Sequence, residues 1–75
     1  MFDIPHINEG EKVIIYVSER ERGPSRLETK FVLEGIPYTV VTVNREVAKD
    51  LFRLGLNIRH LPILQVGDKF YQGHF

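Results

Sequence analysis

The chain has 75 residues, of which ten are basic, ten are acidic and none is cysteine. This length allows a single domain, residues 1–75, and the balanced charge creates no basic field that would attract nucleic acid or an anionic membrane. Without cysteine, disulfides, thiolate metal sites and thiol redox chemistry are excluded. No segment approaches the ~20 apolar residues that span a bilayer, and the first residues do not resemble a signal peptide. We therefore expect a cytoplasmic protein.

Residues 1–11 have no sustained periodicity and are predicted to form an extended lead-in. Residues 13–17 follow as a nearly continuous apolar run rich in β-branched side chains, which is typical of a strand buried on both faces. The next loop, residues 18–25, is dense in charges of both signs. The three histidines are far apart in sequence, so we expect no metal site.

A capping box predicts the first helix. The Ser25 hydroxyl can accept a hydrogen bond from the Glu28 N–H, while the Glu28 side chain reaches back to the Ser25 N–H. The helix should bury Leu27 and Phe31 on one face. It should end at Gly35, which can adopt the left-handed conformation of a helix C-terminus.

The strongest strand pattern in the chain spans residues 38–43. Asn44 can then cap a second helix over residues 45–54, and Gly55 should end it. The predicted inner residues of this helix are Val47, Ala48, Leu51 and Leu54.

The last predicted element is a β-hairpin that begins after Pro62, since proline suits the first residue of a strand better than its middle. Gly67-Asp68 is a two-residue turn signal. The pairing that this turn imposes divides the hairpin into two faces. One face carries Leu64, Val66, Lys69 and Tyr71, and the other carries Ile63, Gln65, Phe70 and Gln72.

The order strand–helix–strand–helix–hairpin predicts an α/β fold with a four-stranded mixed sheet. Its first two strands should be parallel and joined by a right-handed crossover, and the buried first strand should lie centrally. With only two helices to cover two faces, we expect one half of the hairpin to remain uncovered. The sequence predicts that Ile63 and Phe70 lie on that exposed surface. A partner protein or a second copy is the favoured cover, and the alternatives are the N-terminal segment around Phe2, Ile4 and Ile7, or Phe75 turning back.

This order and its landmarks resemble the thioredoxin fold in its glutaredoxin form, and most closely the small glutaredoxin-like redoxins that donate electrons to ribonucleotide reductase. The resemblance covers residues 12–73. It implies a thioredoxin-like β-α-β-α-β-β fold and a cis peptide bond before Pro62, beside the family's active site. The matching stretches are Val13-Ile14-Ile15-Tyr16, Gly35-Ile36-Pro37-Tyr38, Leu61-Pro62, Gly67-Asp68 and Gly73.

Two departures from the family determine the functional expectation. The family's Cys-x-x-Cys motif falls on Glu21, Arg22, Gly23 and Pro24, so no catalytic role can be carried over. We expect no counterpart of the family's final helix, because only two residues follow Gly73 in the sequence. The acidic pair that often binds glutathione in glutaredoxins is also missing.

The leading hypothesis is a redox-inactive, glutaredoxin-like protein-binding or structural module that is not an enzyme and needs no cofactor. Its binding surface would combine the uncovered hairpin face with the corner that corresponds to the family's active site, residues 19–24 and 59–62. The predicted binding residues are Arg59, His60, Leu61, Pro62, Ile63 and Phe70, beside the degenerate motif at residues 21–24. One alternative is a thiol-independent binder of glutathione or a small peptide, in which the Leu61 backbone adds to an extended ligand and Arg59 holds a carboxylate. Another is a structural subunit or homodimer without a ligand.

Overall fold

The computed structural model describes residues 7–20 and 23–72, and these form four strands and two helices in the order that the sequence predicts. The elements are strand β1 (Val13–Ser18), helix α1 (Arg26–Glu34), strand β2 (Thr39–Val43), helix α2 (Arg45–Arg53), strand β3 (Ile63–Val66) and strand β4 (Lys69–Tyr71). Within these described residues, neither helix has the length and apolar character needed to cross a bilayer.

The four strands form one mixed sheet in the order β2-β1-β3-β4. β1 runs parallel to β2 and antiparallel to β3, and β3 pairs antiparallel with β4. Val66 pairs with Lys69 across the turn, as the two-residue Gly67-Asp68 connection requires. The central position of β1, the parallel first pair and the hairpin register are therefore confirmed.

Helix α1 begins with the predicted capping box. The Ser25 hydroxyl accepts a hydrogen bond from the Glu28 N–H at 3.2 Å, and a Glu28 carboxylate oxygen accepts one from the Ser25 N–H at 2.9 Å. Gly35 ends the helix at φ +70°, a conformation that glycine adopts without steric cost. Both ends of α1 are thus determined by local sequence.

Helix α1 packs on one face of the sheet and forms the main core with it. Leu27 and Phe31 of the helix are fully buried. Their buried partners in the same cluster are Val13, Ile15, Val17, Leu64 and Val66. The alternate residues of β1 are only half-buried, so the prediction that this strand is buried on both faces holds for one face only. The second face receives less cover.

Helix α2 lies over that second face. Its Leu51 is buried, and so is Ile63, which pairs with Tyr16 of β1. The prediction that Ile63 is exposed is therefore wrong, since its side chain is 0% exposed. The reason is the alternation of β3: Leu64 faces α1, so Ile63 must face the opposite way. Phe70, predicted to be exposed with it, is half-buried.

A further prediction fails at the end of α2. Leu54, expected on the inner side of α2, is 59% exposed, because the helix ends at Arg53 and the chain turns away at Gly55. Strand β2 has a strong β-forming sequence but lies at the edge of the sheet. Every residue in it is exposed or half-buried, and Val40 is 42% exposed.

Candidate functional site

The strand directions bring three chain segments to one corner of the sheet. β1 and β2 are parallel and pair at their last residues, Ser18 with Val43. β3 runs the opposite way, so its first residue lies at the same end and pairs with Tyr16. The charged loop after β1, the end of β2 and the loop before β3 therefore meet. Open α/β sheets commonly bind ligands at the carboxyl ends of their parallel strands.

A cleft of about 230 Å³ opens at this corner. We call it the corner cleft. Its lining residues are Ser18, Glu19, Arg20, Val43, Ile58 and Leu61. It combines one carboxylate and one guanidinium with an apolar wall. The Ser18 hydroxyl accepts a hydrogen bond from the Arg20 backbone N–H at 3.2 Å, which bends the loop back over the end of β1.

The loop that forms the far wall of the cleft is held by Asn57. Its side-chain oxygen accepts a hydrogen bond from the Arg59 N–H at 2.9 Å, and its backbone carbonyl accepts one from the His60 N–H at 3.1 Å. Gln72 makes two further bonds to the Asn57 backbone. Its amide NH₂ donates to the carbonyl at 2.6 Å, and its carbonyl oxygen accepts from the N–H at 3.3 Å. The residue after β4 thus fixes the loop before β3.

The sequence reasoning did not single out Asn57 or Gln72. Asparagine side chains in loops commonly accept a hydrogen bond from the backbone N–H two residues further on, as Asn57 does from Arg59. That signal was available in the sequence. The contact between Asn57 and Gln72 joins positions fifteen residues apart, and no local pattern predicts it.

Gly23 and Pro24, the last two positions of the predicted motif, lead directly into α1. Gly23 and Pro24 are exposed and immediately precede the helix-capping Ser25. Gly23 has φ +81°, a left-handed conformation that favours glycine. Glu21 and Arg22 lie outside the described residues. The described half of the motif therefore serves the turn into the helix.

The structure divides the other predicted site residues among three locations. Leu61 lines the corner cleft, and the Leu61–Pro62 peptide bond is cis, as the resemblance implied. Arg59 and His60 are exposed, and Arg59 lines a different hollow beside α2. Ile63 and Phe70 point to the face under α2. Arg59 and Leu61, expected to act on one ligand, therefore line separate depressions.

A polar and aromatic cluster that the sequence reasoning missed lies on the α2 face. The Tyr16 hydroxyl donates to the Gln65 side-chain oxygen at 2.6 Å, and the Gln65 NH₂ group donates to the Gly67 carbonyl at 2.8 Å. The Tyr16 ring stacks with that of Phe70, with centroids 6.4 Å apart. Burial raises the pKa of the Tyr16 hydroxyl above 10.0, and the nearby Asp50 carboxylate raises it further. Tyr16 therefore acts as a neutral hydrogen-bond donor at physiological pH.

No protein family, curated protein or solved structure compared with this chain matches it. The site is therefore interpreted from its own residues. The corner cleft combines charges of both signs, an apolar wall and a loop held by side-chain hydrogen bonds.

Proposed function

We propose that this chain is a cysteine-less domain of the glutaredoxin type of thioredoxin fold, and that it binds a protein partner at the corner cleft. The central β1, the parallel β1–β2 pair and the antiparallel hairpin support this proposal, because they agree with the arrangement expected from the resemblance. The absence of cysteine from the sequence argues against thiol chemistry at the same corner.

The observation that carries the binding proposal is the lining of the corner cleft. Leu61 and Ile58 supply apolar surface, and Glu19 and Arg20 supply one charge of each sign. An extended segment of a partner can bury an apolar side chain against Leu61. It can also add hydrogen bonds beside the start of β3, in the manner of an added strand. The Asn57 and Gln72 hydrogen bonds lower the entropic cost of binding, because they hold the loop in place beforehand.

A second candidate is thiol-independent binding of glutathione or a similar small peptide. Arg20 at the rim of the cleft favours it, because a guanidinium can hold a ligand carboxylate through two parallel hydrogen bonds. The same cleft would then take a free tripeptide in place of a partner segment. The uncovered hairpin face is not part of either candidate, since Ile63 is buried.

Selection of peptides from a displayed random library would test the leading candidate. We expect the wild type to select peptides whose addition shifts the amide resonances of residues 18–20 and 58–62. Leu61→Glu, which buries a charge in the apolar wall, should weaken their binding by about tenfold or more. Asp68→Ser, at the exposed hairpin turn, is the matched control and should leave their affinity unchanged.

Glutathione is titrated separately into the same labelled protein. Saturable shifts at the corner with glutathione, in the absence of any selected peptide, would favour the second candidate. Selected peptides that bind Leu61→Glu as well as the wild type would exclude the corner cleft as the site. An insulin-reduction assay accompanies both arms, and turnover above the background of the reductant would contradict the non-enzymatic assignment.

A further inference from the structure

A cluster of exposed apolar side chains lies at the C-terminal end of α2 and in the loop that follows. Phe52 is 79% exposed, Leu54 59% and Ile58 42%. Scattered exposed apolar residues are ordinary on protein surfaces, whereas contiguous ones mark contact sites. Here Phe52 and Ile58 are contiguous, because both line the same two depressions.

The two depressions have volumes of about 450 and 390 Å³ and meet at these two side chains. We call them together the Phe52 groove. One end runs along α2 past Ala48, and the other lies over the chain that leaves the helix. The lining residues are Arg45, Ala48, Lys49, Phe52, Arg53, Gly55, Leu56, Asn57, Ile58 and Arg59.

Backbone hydrogen bonds at the end of α2 define the shape of the groove. The Gly55 N–H donates to the Phe52 carbonyl at 2.9 Å, and the Leu56 N–H donates to the Leu51 carbonyl at 3.0 Å. Gly55 has φ +80°, so the chain reverses after the helix and brings Ile58 back beside it. The apolar surface therefore belongs to a concave site with a defined backbone.

The rim of the groove is basic. Arg45, Lys49 and Arg53 are spaced four residues apart, so they form one stripe along α2, and Arg59 stands at the opposite end. Among the described lining residues, four are basic and none is acidic. Arg53 is 3.9 Å from Asp50, but both side chains are more than 70% exposed, so this ion pair is weak. The chain as a whole has no net charge, so the basic rim is a local feature.

We propose that the Phe52 groove binds an acidic amphipathic segment of another protein, whose apolar side chain lies between Phe52 and Ile58 and whose carboxylates meet Arg45 and Lys49. The charge of the rim selects an acidic partner. The two shallow depressions can each receive a protruding apolar side chain of such a segment. This site is separate from the corner cleft: the two share Ile58, but Phe52 and Lys49 line only the groove.

The test uses a displayed library of random peptides, selected on the wild type and counter-selected on the Phe52→Ser variant. We expect the recovered sequences to be enriched in Asp and Glu, with apolar residues at helical spacing. Their addition should shift the amides of α2 and of residues 55–59. Phe52→Ser should weaken their binding by about tenfold or more, and the charge reversal Lys49→Glu should also weaken it. Affinity should fall as salt is added.

Leu33→Ser is the matched control, because Leu33 is 81% exposed on α1 and lies outside the groove. It removes an apolar side chain of similar fractional exposure and should leave binding unchanged. Urea unfolding of each variant checks that the fold is intact, and Leu61→Glu shows that the corner cleft is not the site of these peptides.

Several outcomes would overturn the proposal. One is the recovery of no peptide sensitive to Phe52→Ser, or of peptides without acidic residues. Another is sedimentation of the wild type, but not of Phe52→Ser, with vesicles of phosphatidylcholine and phosphatidylserine, which would assign the groove to a membrane surface. A dimer of the wild type that Phe52→Ser dissociates would assign it to a second copy of the chain.

Discussion

The two faces of the sheet differ in how completely their side chains are buried and in how polar they are. The face under α1 is an apolar core, in which Ile15, Leu27, Phe31 and Leu64 are all 0% exposed. On the face under α2, Ile63 and Leu51 are buried, but their neighbours Tyr16, Gln65 and Phe70 are only partly covered. The first face therefore concentrates the apolar packing that stabilises the fold, while the second combines packing with polar contacts. A domain of this size has roughly 5–15 kcal/mol of stability to lose, so the division has measurable consequences.

The location of the two candidate sites follows the same division. The corner cleft and the Phe52 groove both include Ile58, which lies in the loop after α2. Neither site includes a residue of the core under α1. Substitutions at these sites can therefore change binding while the main core remains intact. The predictions below test whether the two faces differ as described, in order of decreasing effect.

Phe31→Ala should cause the largest loss of stability. The side chain is fully buried, belongs to the α1 core and lies 6.0 Å, centroid to centroid, from the Tyr38 ring. Truncation of a buried phenylalanine costs about 3–5 kcal/mol, because the transfer free energy of the removed atoms is lost and the cavity left behind adds a further penalty. Urea unfolding followed by circular dichroism measures the effect. A loss below about 1 kcal/mol would show that α1 does not hold the core.

Ile63→Ala should cost about 2–5 kcal/mol, at or below the loss from Phe31→Ala, although it lies on the less covered face. Its side chain is 0% exposed, and this prediction opposes the expectation from sequence that the residue is a surface contact. The same urea titration decides between them. A neutral effect on unfolding, together with loss of a partner or of self-association, would restore the exposed-face hypothesis.

Tyr16→Phe should cost about 1 kcal/mol at neutral pH, because it removes the hydrogen bond to Gln65. The pKa of Tyr16 is raised in the folded state, so folding favours the protonated hydroxyl. Its stabilisation is complete below pH 10.0 and is lost as the pH rises through the raised folded pKa. The wild type and the variant should therefore converge in stability at high pH.

Unfolding titrations at neutral and alkaline pH measure this convergence. The other tyrosines are identical in both proteins, so their titration cancels in the difference. A gap between wild type and Tyr16→Phe that widens above pH 10.0 would contradict the assigned direction of the shift.

Val40→Thr should have the smallest effect, within about 0.5 kcal/mol. Val40 pairs with Ile15 and shares its face of the sheet, yet it is 42% exposed on the edge strand. The substitution keeps a β-branched side chain, so only the limited burial is altered. A thermal melt detects the change. A drop as large as that of Ile63→Ala would mean that the α1 core extends over β2.

Features fixed by neighbouring residues were predictable from the sequence. The capping box needs only Ser25 and Glu28, three positions apart, and the hairpin register follows from the two-residue turn at Gly67. The central position of β1 followed from its apolar run and from the order of the elements. Each of these depends on contacts within a few residues or on topological rules that apply to many folds.

The features that failed depend on distant parts of the chain. The alternation along β3 separates Ile63 from Leu64, but the sequence does not state which of the two faces α1. Leu54 has the right helical spacing for burial, and only the end of α2 at Arg53 shows that it is exposed. Phe52 follows Leu51 by one position, so burial of Leu51 turns Phe52 outward. The predicted inner stripe of α2 therefore also indicates that Phe52 is exposed.

The central position of β1 also has a consequence for synthesis on the ribosome. β1 precedes the other described strands, yet its second neighbour, β3, is complete only at Val66, which pairs with Val13. Until then a β-branched apolar strand has one edge open, and such segments are prone to aggregate. Lys12 stands directly before β1, and Glu19 and Arg20 directly after it. Charges at both ends of such a strand disfavour stacking with other nascent chains, and these three residues place charges at both ends of β1.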